Sequence, residues 1–341
     1  MDQWRRRCRN TCIGVLLFAL LLRQSSSGAP GLRRYTENLL TRPGTANFLL
    51  FLQTGALAPA QPVPEPPRPL ATAPPATQPE QPAPTDPPEP IEFTPEEAAG
   101  IRIDYGGAFR PDLAALLAAP LDLDFSGAEP RVLIIHTHAT ESYAQSPGWE
   151  YEPDSLARTL DPAYNMIRVG DELAAMLEAA GIPVLHDRGL NDYPSYNNSY
   201  TRTLEVIEDY LARYPTIQAV LDIHRDAFED SGGDLGGTAV DIGGVSTARL
   251  MLVVGSDEGV LEHPDWERNL SLALKLQVLL ERDYPGITRA ITLTPNRYNQ
   301  HATHGSLIVE VGAAGDTLPE ALQAIRCFAG AFVKIAAAGT D

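Results

Sequence analysis

Hydrophobic and polar positions along the chain fall into three regimes. The first is a continuous apolar run, Ile13–Leu22, preceded by Arg5, Arg6, Arg7 and Arg9 and followed by Ser25, Ser26, Ser27 and Gly28. The second is a proline-spaced stretch with no periodicity. The third, from Phe93 onward, alternates short β-branched runs with amphipathic stretches. In that last regime Arg131–Ile135, Ile182–His186, Ala219–His224, Ala248–Val254 and Ser306–Val311 read as strands, apolar enough to be covered on both faces. Between them, Val169–Ala180 places Leu173, Met176, Leu177 and Ala180 on one helical face, with Gly181 as its stop. Tyr200–Tyr214, Trp266–Asp283 and Leu318–Ala336 read as further helices, the first two ended by Pro215 and Pro285. Such alternation predicts an α/β class with a mostly parallel sheet flanked by helices on both faces.

A basic start, a short apolar run and small residues after it have the order of an export signal. The run is about half of the ~20 residues that a spanning helix needs, so a cleaved signal and a retained anchor both fit. Either way the arginines stay in the cytoplasm and the remainder lies outside it, at the cell membrane or secreted. The expected divisions are 1–30, signal or membrane anchor; 31–57, a juxtamembrane segment with the apolar patch Asn47–Leu52; 58–92, a Pro-rich linker; and 93–341, the folded domain. Fourteen of the 30 prolines lie between Pro59 and Pro90, which favours an extended, semi-rigid spacer.

Charge follows the same division. Residues 1–92 carry a net +2 and residues 93–341 a net −20, so the folded part is unsuited to a phosphate backbone and no nucleic-acid partner is expected. Cys8, Cys12 and Cys327 exclude a disulfide framework, and Cys327 reads as a small apolar residue on a helix.

Ligands of open α/β sheets bind at the carboxyl ends of strands. Here one strand runs into His136-Thr137-His138-Ala139-Thr140-Glu141, another ends in Asp222-Ile223-His224-Arg225-Asp226, and a late strand carries Glu310. On extended backbone His136 and His138 face the same way. With a distant His and a carboxylate they make the kit of a zinc site with an open position, and a further carboxylate activates the water. A metal-dependent (β/α)₈ barrel also places His-x-His at a strand end, but it needs about 250 residues, and 206 remain from His136 onward.

The run Val132–Tyr143, the block Asn165–Leu173, the block Leu221–Ala227, and Tyr298-Asn299-Gln300 followed by Leu307–Gly312 resemble, in order, the motifs of the stage II sporulation protein P family. The resemblance covers essentially residues 93–341. It implies an amidase-like zinc hydrolase fold and a peptidoglycan hydrolase of the N-acetylmuramoyl-L-alanine amidase type, with peptide cross-links as a further substrate. It also implies Zn²⁺ as cofactor, and the stage II sporulation proteins D and M as partners in engulfment. Carried over by residue, His136 or His138, Glu141 and His224 are the metal ligands and Glu310 is the general base. Arg225, Asn299 and Gln300 are candidate substrate contacts, although Arg225 equally suits an ion pair and the other two a loop cap. Tyr143, Trp149 and Tyr151 suit a sugar platform or the core. Asp316, where the family pattern suggests Asn, and His301 and His304 depart from it. The rival reading is a non-catalytic wall-binding or scaffold protein on the same fold, which requires a lost ligand or base; none is missing.

Overall fold

The computed structural model describes residues 91–338, all within the second of two compact units, Pro84–Asp341. The divisions expected at 1–30 and 31–57, and the linker at 58–92 but for its last two residues, lie outside the described residues.

In chain order the elements are α1 (Pro95–Gly100), β1 (Ile103–Tyr105), α2 (Leu113–Ala118), β2 (Val132–Ile135), α3 (Met166–Ala179), β3 (Val184–His186), α4 (Ser199–Arg213), β4 (Ala219–Asp226), β5 (Val240–Ile242), β6 (Val245–Thr247), β7 (Leu250–Gly255), α5 (Trp266–Asp283), β8 (Ile291–Thr294), β9 (Leu307–Ala313) and α6 (Leu318–Ala338). Their ends have local causes. The Thr94 hydroxyl accepts from the Glu97 amide, and the Glu97 carboxylate accepts from the Thr94 amide, a reciprocal cap that starts α1. Asn165 caps α3 by accepting from the Ile167 amide at 3.0 Å. Gly181, at φ +83°, closes that helix in the left-handed conformation a side chain disfavours.

Seven strands form one sheet in the order β1-β8-β7-β9-β4-β2-β3, and β5–β6 is a separate hairpin. Every pairing in the large sheet is parallel except β7–β9, which is antiparallel. The sheet is therefore mixed, two parallel blocks joined back to back. The sheet is mostly parallel, as expected; the one antiparallel joint was not legible, because an apolar run fixes burial but not strand direction.

Helices cover both faces. Val132 and Ile134 of β2, Leu221 and Ile223 of β4, and Val309 and Val311 of β9 join one large core with α3, α5 and α6. Leu133, Ile135 and Val220 point the other way and join a smaller core with Ile207 of α4. Alternation along each strand thus decides which residues face α3 and which face α4.

The single N-terminal membrane anchor is corrected as well. Among the described residues, the one helix long and apolar enough to cross a membrane is Leu318–Ala338, near the carboxyl end, and not at the amino end. Its apolar side chains, Phe328 and Phe332 among them, are packed in the large core. Cys327 is buried there as a free thiol.

Candidate active site

The site grows from one cross-strand pair. On β4, Leu221 and Ile223 point to the α3 side, so Asp222 and His224 point to the α4 side. Parallel pairing aligns His224 with Glu310 of β9, and neighbouring strands lie ~4.8 Å apart. The imidazole and the carboxyl are therefore direct neighbours on one face.

The third component arrives by a turn. β2 ends at Ile135, and residues 137–140 form turns. Asp222 secures that turn: it accepts from the Thr137 amide at 2.8 Å and the Thr137 hydroxyl at 2.6 Å. The turn brings the His138 ring to 5.2 Å from the His224 ring, edge to face. Tyr196 stacks on His138 at 4.4 Å, and Tyr200 of α4 meets its edge at 5.6 Å. Neither tyrosine is marked as a site residue in the sequence, where Tyr200 reads only as the first residue of a helix.

Glu141 follows on the same loop. Its Oε2 lies 3.9 Å from His224 Nδ1, and Arg158 and Arg225 approach Oε1 at 3.3 and 3.7 Å. Asp192 holds the loop from outside, accepting from the Thr140 hydroxyl at 2.6 Å and Arg158 at 2.7 Å.

His136 lies elsewhere. It continues the β2 alternation onto the α3 side, where its Nδ1 meets the Ile223 carbonyl at 3.1 Å and its Nε2 meets His186 Nε2 at 2.8 Å. His186 Nδ1 in turn lies 3.1 Å from Asp171. Gly170 of α3 makes room for the two rings: a Cβ there would come within 2.5 Å of His186 Nε2 and 2.6 Å of His136 Nε2. Of the two candidate histidines, the fold brings only His138 to His224.

The other candidates serve the scaffold. Arg225 is buried, donating from Nε to the Ser142 carbonyl and from Nη2 to the Ala157 carbonyl, both at 2.9 Å. Gln300 is buried and bonds the β7 backbone, accepting from Gly255 N and donating to Val253 O, both at 2.7 Å. Asn299, at φ +64°, donates to the Tyr200 carbonyl at 2.8 Å, fixing its loop to the start of α4. Tyr143 is core and donates to the Val311 carbonyl at 2.8 Å. Tyr151 donates to the Tyr143 carbonyl at 2.8 Å, and Trp149 packs against the core. Asp316 is buried and accepts from Thr238, Ala239 and Ala313, binding the Gly-rich loop to the end of β9. His301 and His304 line a cavity of about 540 Å³ with Asp122, His263 and Arg297, at the rim where β4 and β9 begin.

Electrostatics separates the groups of the site. Burial, aided by Glu141 and Asp226 and opposed by His224, pushes the Glu310 carboxyl up to about 8. Burial opposes charge on His224, but Asp222, Glu310 and Glu141 outweigh it and raise its pKa. Burial and the neighbouring His224 push His138 down to about 3, leaving it a neutral ring. Burial raises Glu141 against the pull of Arg225 and His224.

A metal can be tested against these groups. His138 Nδ1 and Glu310 Oε2 are sealed from solvent without a hydrogen-bond partner, and buried polar atoms in that state call for one. Two imidazoles and a carboxylate, Glu141, are the donor types zinc takes. The donor chemistry fits. Among the described residues, however, no three His, Cys, Asp or Glu side chains are already gathered into a metal-holding group.

The chain is similar to Stage II sporulation protein P of Bacillus subtilis (strain 168), 31% identical over 225 residues, which is 62% of this chain and 52% of that one. The chain thus spans about half the length of this curated relative. Among solved structures it is similar to the N-acetylmuramoyl-L-alanine amidase AmiC2 of Nostoc punctiforme, at 13% identity and a TM-score of 0.37 over 62% of this chain and 97% of that one. The N-acetylmuramyl-L-alanine amidase Ami1 of Mycobacterium abscessus matches at 16% identity and a TM-score of 0.37 over 63% of this chain and 100% of that one. The model of the Stage II sporulation protein P family matches residues 76–333, which include β2, β4 and β9 and every residue of the site, and the chain belongs to that family.

Proposed function

We propose that the chain is a zinc-dependent peptidoglycan hydrolase that cleaves the amide between muramic acid and the stem peptide. The observation that carries this reading is the meeting of Glu310, His224 and His138 on one sheet face, with Glu141 beside them. Family membership supports the substrate class. Peptidoglycan is the macromolecule bound, and stage II sporulation proteins D and M are the partners that the family implies.

His138, His224 and Glu141 would hold the zinc, which when bound supplies Lewis acidity and an acidified water. The protein's own groups supply the rest. Glu310 has Oε2 free of any partner and a pKa near 8, close to the value at which a carboxyl both accepts and returns a proton at neutral pH. It takes a proton from the attacking water and delivers it to the departing amide nitrogen. Tyr196, 56% exposed beside His138, forms the open wall of the site. Arg225 and Asn299 act through the loops they brace.

The test is digestion of purified peptidoglycan by the full-length protein, with zinc measured in parallel. The wild type should release intact stem peptides from muramic acid. Glu310→Gln should keep its zinc and lose about 10²–10⁴-fold in rate, the usual value of a general acid–base group. A Glu310→Gln protein that is both zinc-loaded and fully active overturns the proposal, as does a wild type that releases no stem peptide.

A further inference from the structure

Asp222 stands apart among the buried carboxylates. Its two oxygens reach both components that must meet: Oδ1 lies 2.9 Å from His224 Nε2, and both oxygens accept from Thr137, one from the amide and one from the hydroxyl. The side chain is almost fully buried. Thr137 immediately precedes His138, and β2 has already ended at Ile135. No strand hydrogen bond therefore fixes the height of His138 over the sheet; the two bonds to Asp222 tie the turn to β4, while Asn191, donating to the His136 carbonyl, and Asp192, accepting from Thr140, hold its two ends. Register Ile135↔Asp222 places the carboxylate directly beneath the turn.

We propose that Asp222 is a positioning residue that sets the separation and orientation of the His138 and His224 imidazoles, and so the affinity of the site for a divalent metal. This rests on the zinc reading above. Burying a carboxylate is costly unless it is hydrogen-bonded and paired, and a purely structural brace for the turn would be met by a neutral side chain. A charge in this place, touching the imidazole as well as the turn, matches the way outer carboxylates orient metal-binding histidines.

Four full-length variants test it: Asp222→Asn, which keeps size and one acceptor; Asp222→Glu; Thr137→Val, which removes one donor from the carboxylate; and Thr137→Ser, which restores it. Zinc affinity is read by competition with a chelating dye, melting temperature on the metal-free proteins, and imidazole nitrogen NMR signals on the same samples. Asp222→Asn should bind zinc about 10–100-fold more weakly, the usual loss for an outer partner, and shift the His224 ring signals without metal. Thr137→Val should weaken zinc binding by less and shift the His138 ring signals, and Thr137→Ser should behave as wild type. Asp222→Glu should fall between Asn and wild type.

Unchanged affinity and unchanged ring signals in Asp222→Asn overturn the inference while leaving the zinc reading intact. Loss of affinity only in proportion to loss of melting temperature also overturns it, and Thr137→Val gives that comparison if Asp222→Asn fails to fold. A wild type that takes up no zinc, with ring signals unmoved by either substitution, overturns both the zinc reading and the inference.

Discussion

His136 and His138, two residues apart, end in different surroundings, and burial lowers the pKa of both. His136 is fully buried against Gly170, and burial together with His186 pushes it down to about 3. In the unfolded chain a histidine titrates near 6.5. Its folded pKa is depressed, so the unfolded state binds more protons between these values. Stability is complete above 6.5 and is lost as pH falls toward 3, with a slope of about 1.4 kcal/mol per pH unit for one such site. The metal-free protein should lose stability to urea over that window, and His136→Gln should flatten the loss. An acid limb as steep in His136→Gln as in the wild type counts against this assignment. The His-x-His pattern itself was legible in the sequence, but not which ring enters the site. The rule that residues i and i+2 share a face applies only while the chain stays extended, and the strand stops at Ile135 before either ring.

At the scale of elements, the strands that position the chemistry were the legible ones. β2, β4 and β9 are continuous apolar runs between helical stretches, and their ends carry His, Asp and Glu. β1 and β8, Ile-Asp-Tyr and Ile-Thr-Leu-Thr, are interrupted by polar residues, so no continuous apolar run marks them as it marks the four residues of β2. α3 was placed by its apolar face and Gly181, yet its most consequential residue is Gly170, whose role depends on what it faces. Gly→Ala inside a helix ordinarily gains about 1 kcal/mol. At position 170 the added methyl meets two packed rings, and overpacking of that kind costs about 1–3 kcal/mol. Gly170→Ala should therefore be destabilised in denaturant melts despite its better helix propensity. It should also disturb the His136–His186 pair before it disturbs His138. A Gly170→Ala protein more stable than the wild type contradicts the packing described for this helix.

For the molecule as a whole, the antiparallel joint between β7 and β9 gives the sheet two opposed outlets. An all-parallel sheet delivers every strand end, and every loop that can carry function, to one rim. Here β4 and β9 finish at one rim, whereas β7 and β8 finish at the other, among the residues that line the cavity holding His263 and His304. The β7–α5 loop at the far rim can thus be lengthened without crossing the ground where His138, His224 and Glu310 meet, whereas the β8–β9 loop reaches it through Asn299, which donates to the Tyr200 carbonyl. Val260 and Leu261 after β7 are 101% and 58% exposed, and each doubling of a loop costs only about 0.6 kcal/mol in closure entropy. Eight Gly/Ser residues inserted between them should leave zinc uptake and peptidoglycan cleavage as in the wild type. The same insertion between Ala139 and Thr140, on the near rim, should abolish both. The joint gives one sheet two margins, so the loop at Val260 and Leu261 can change in length while the strand ends that carry His224 and Glu310 stay fixed.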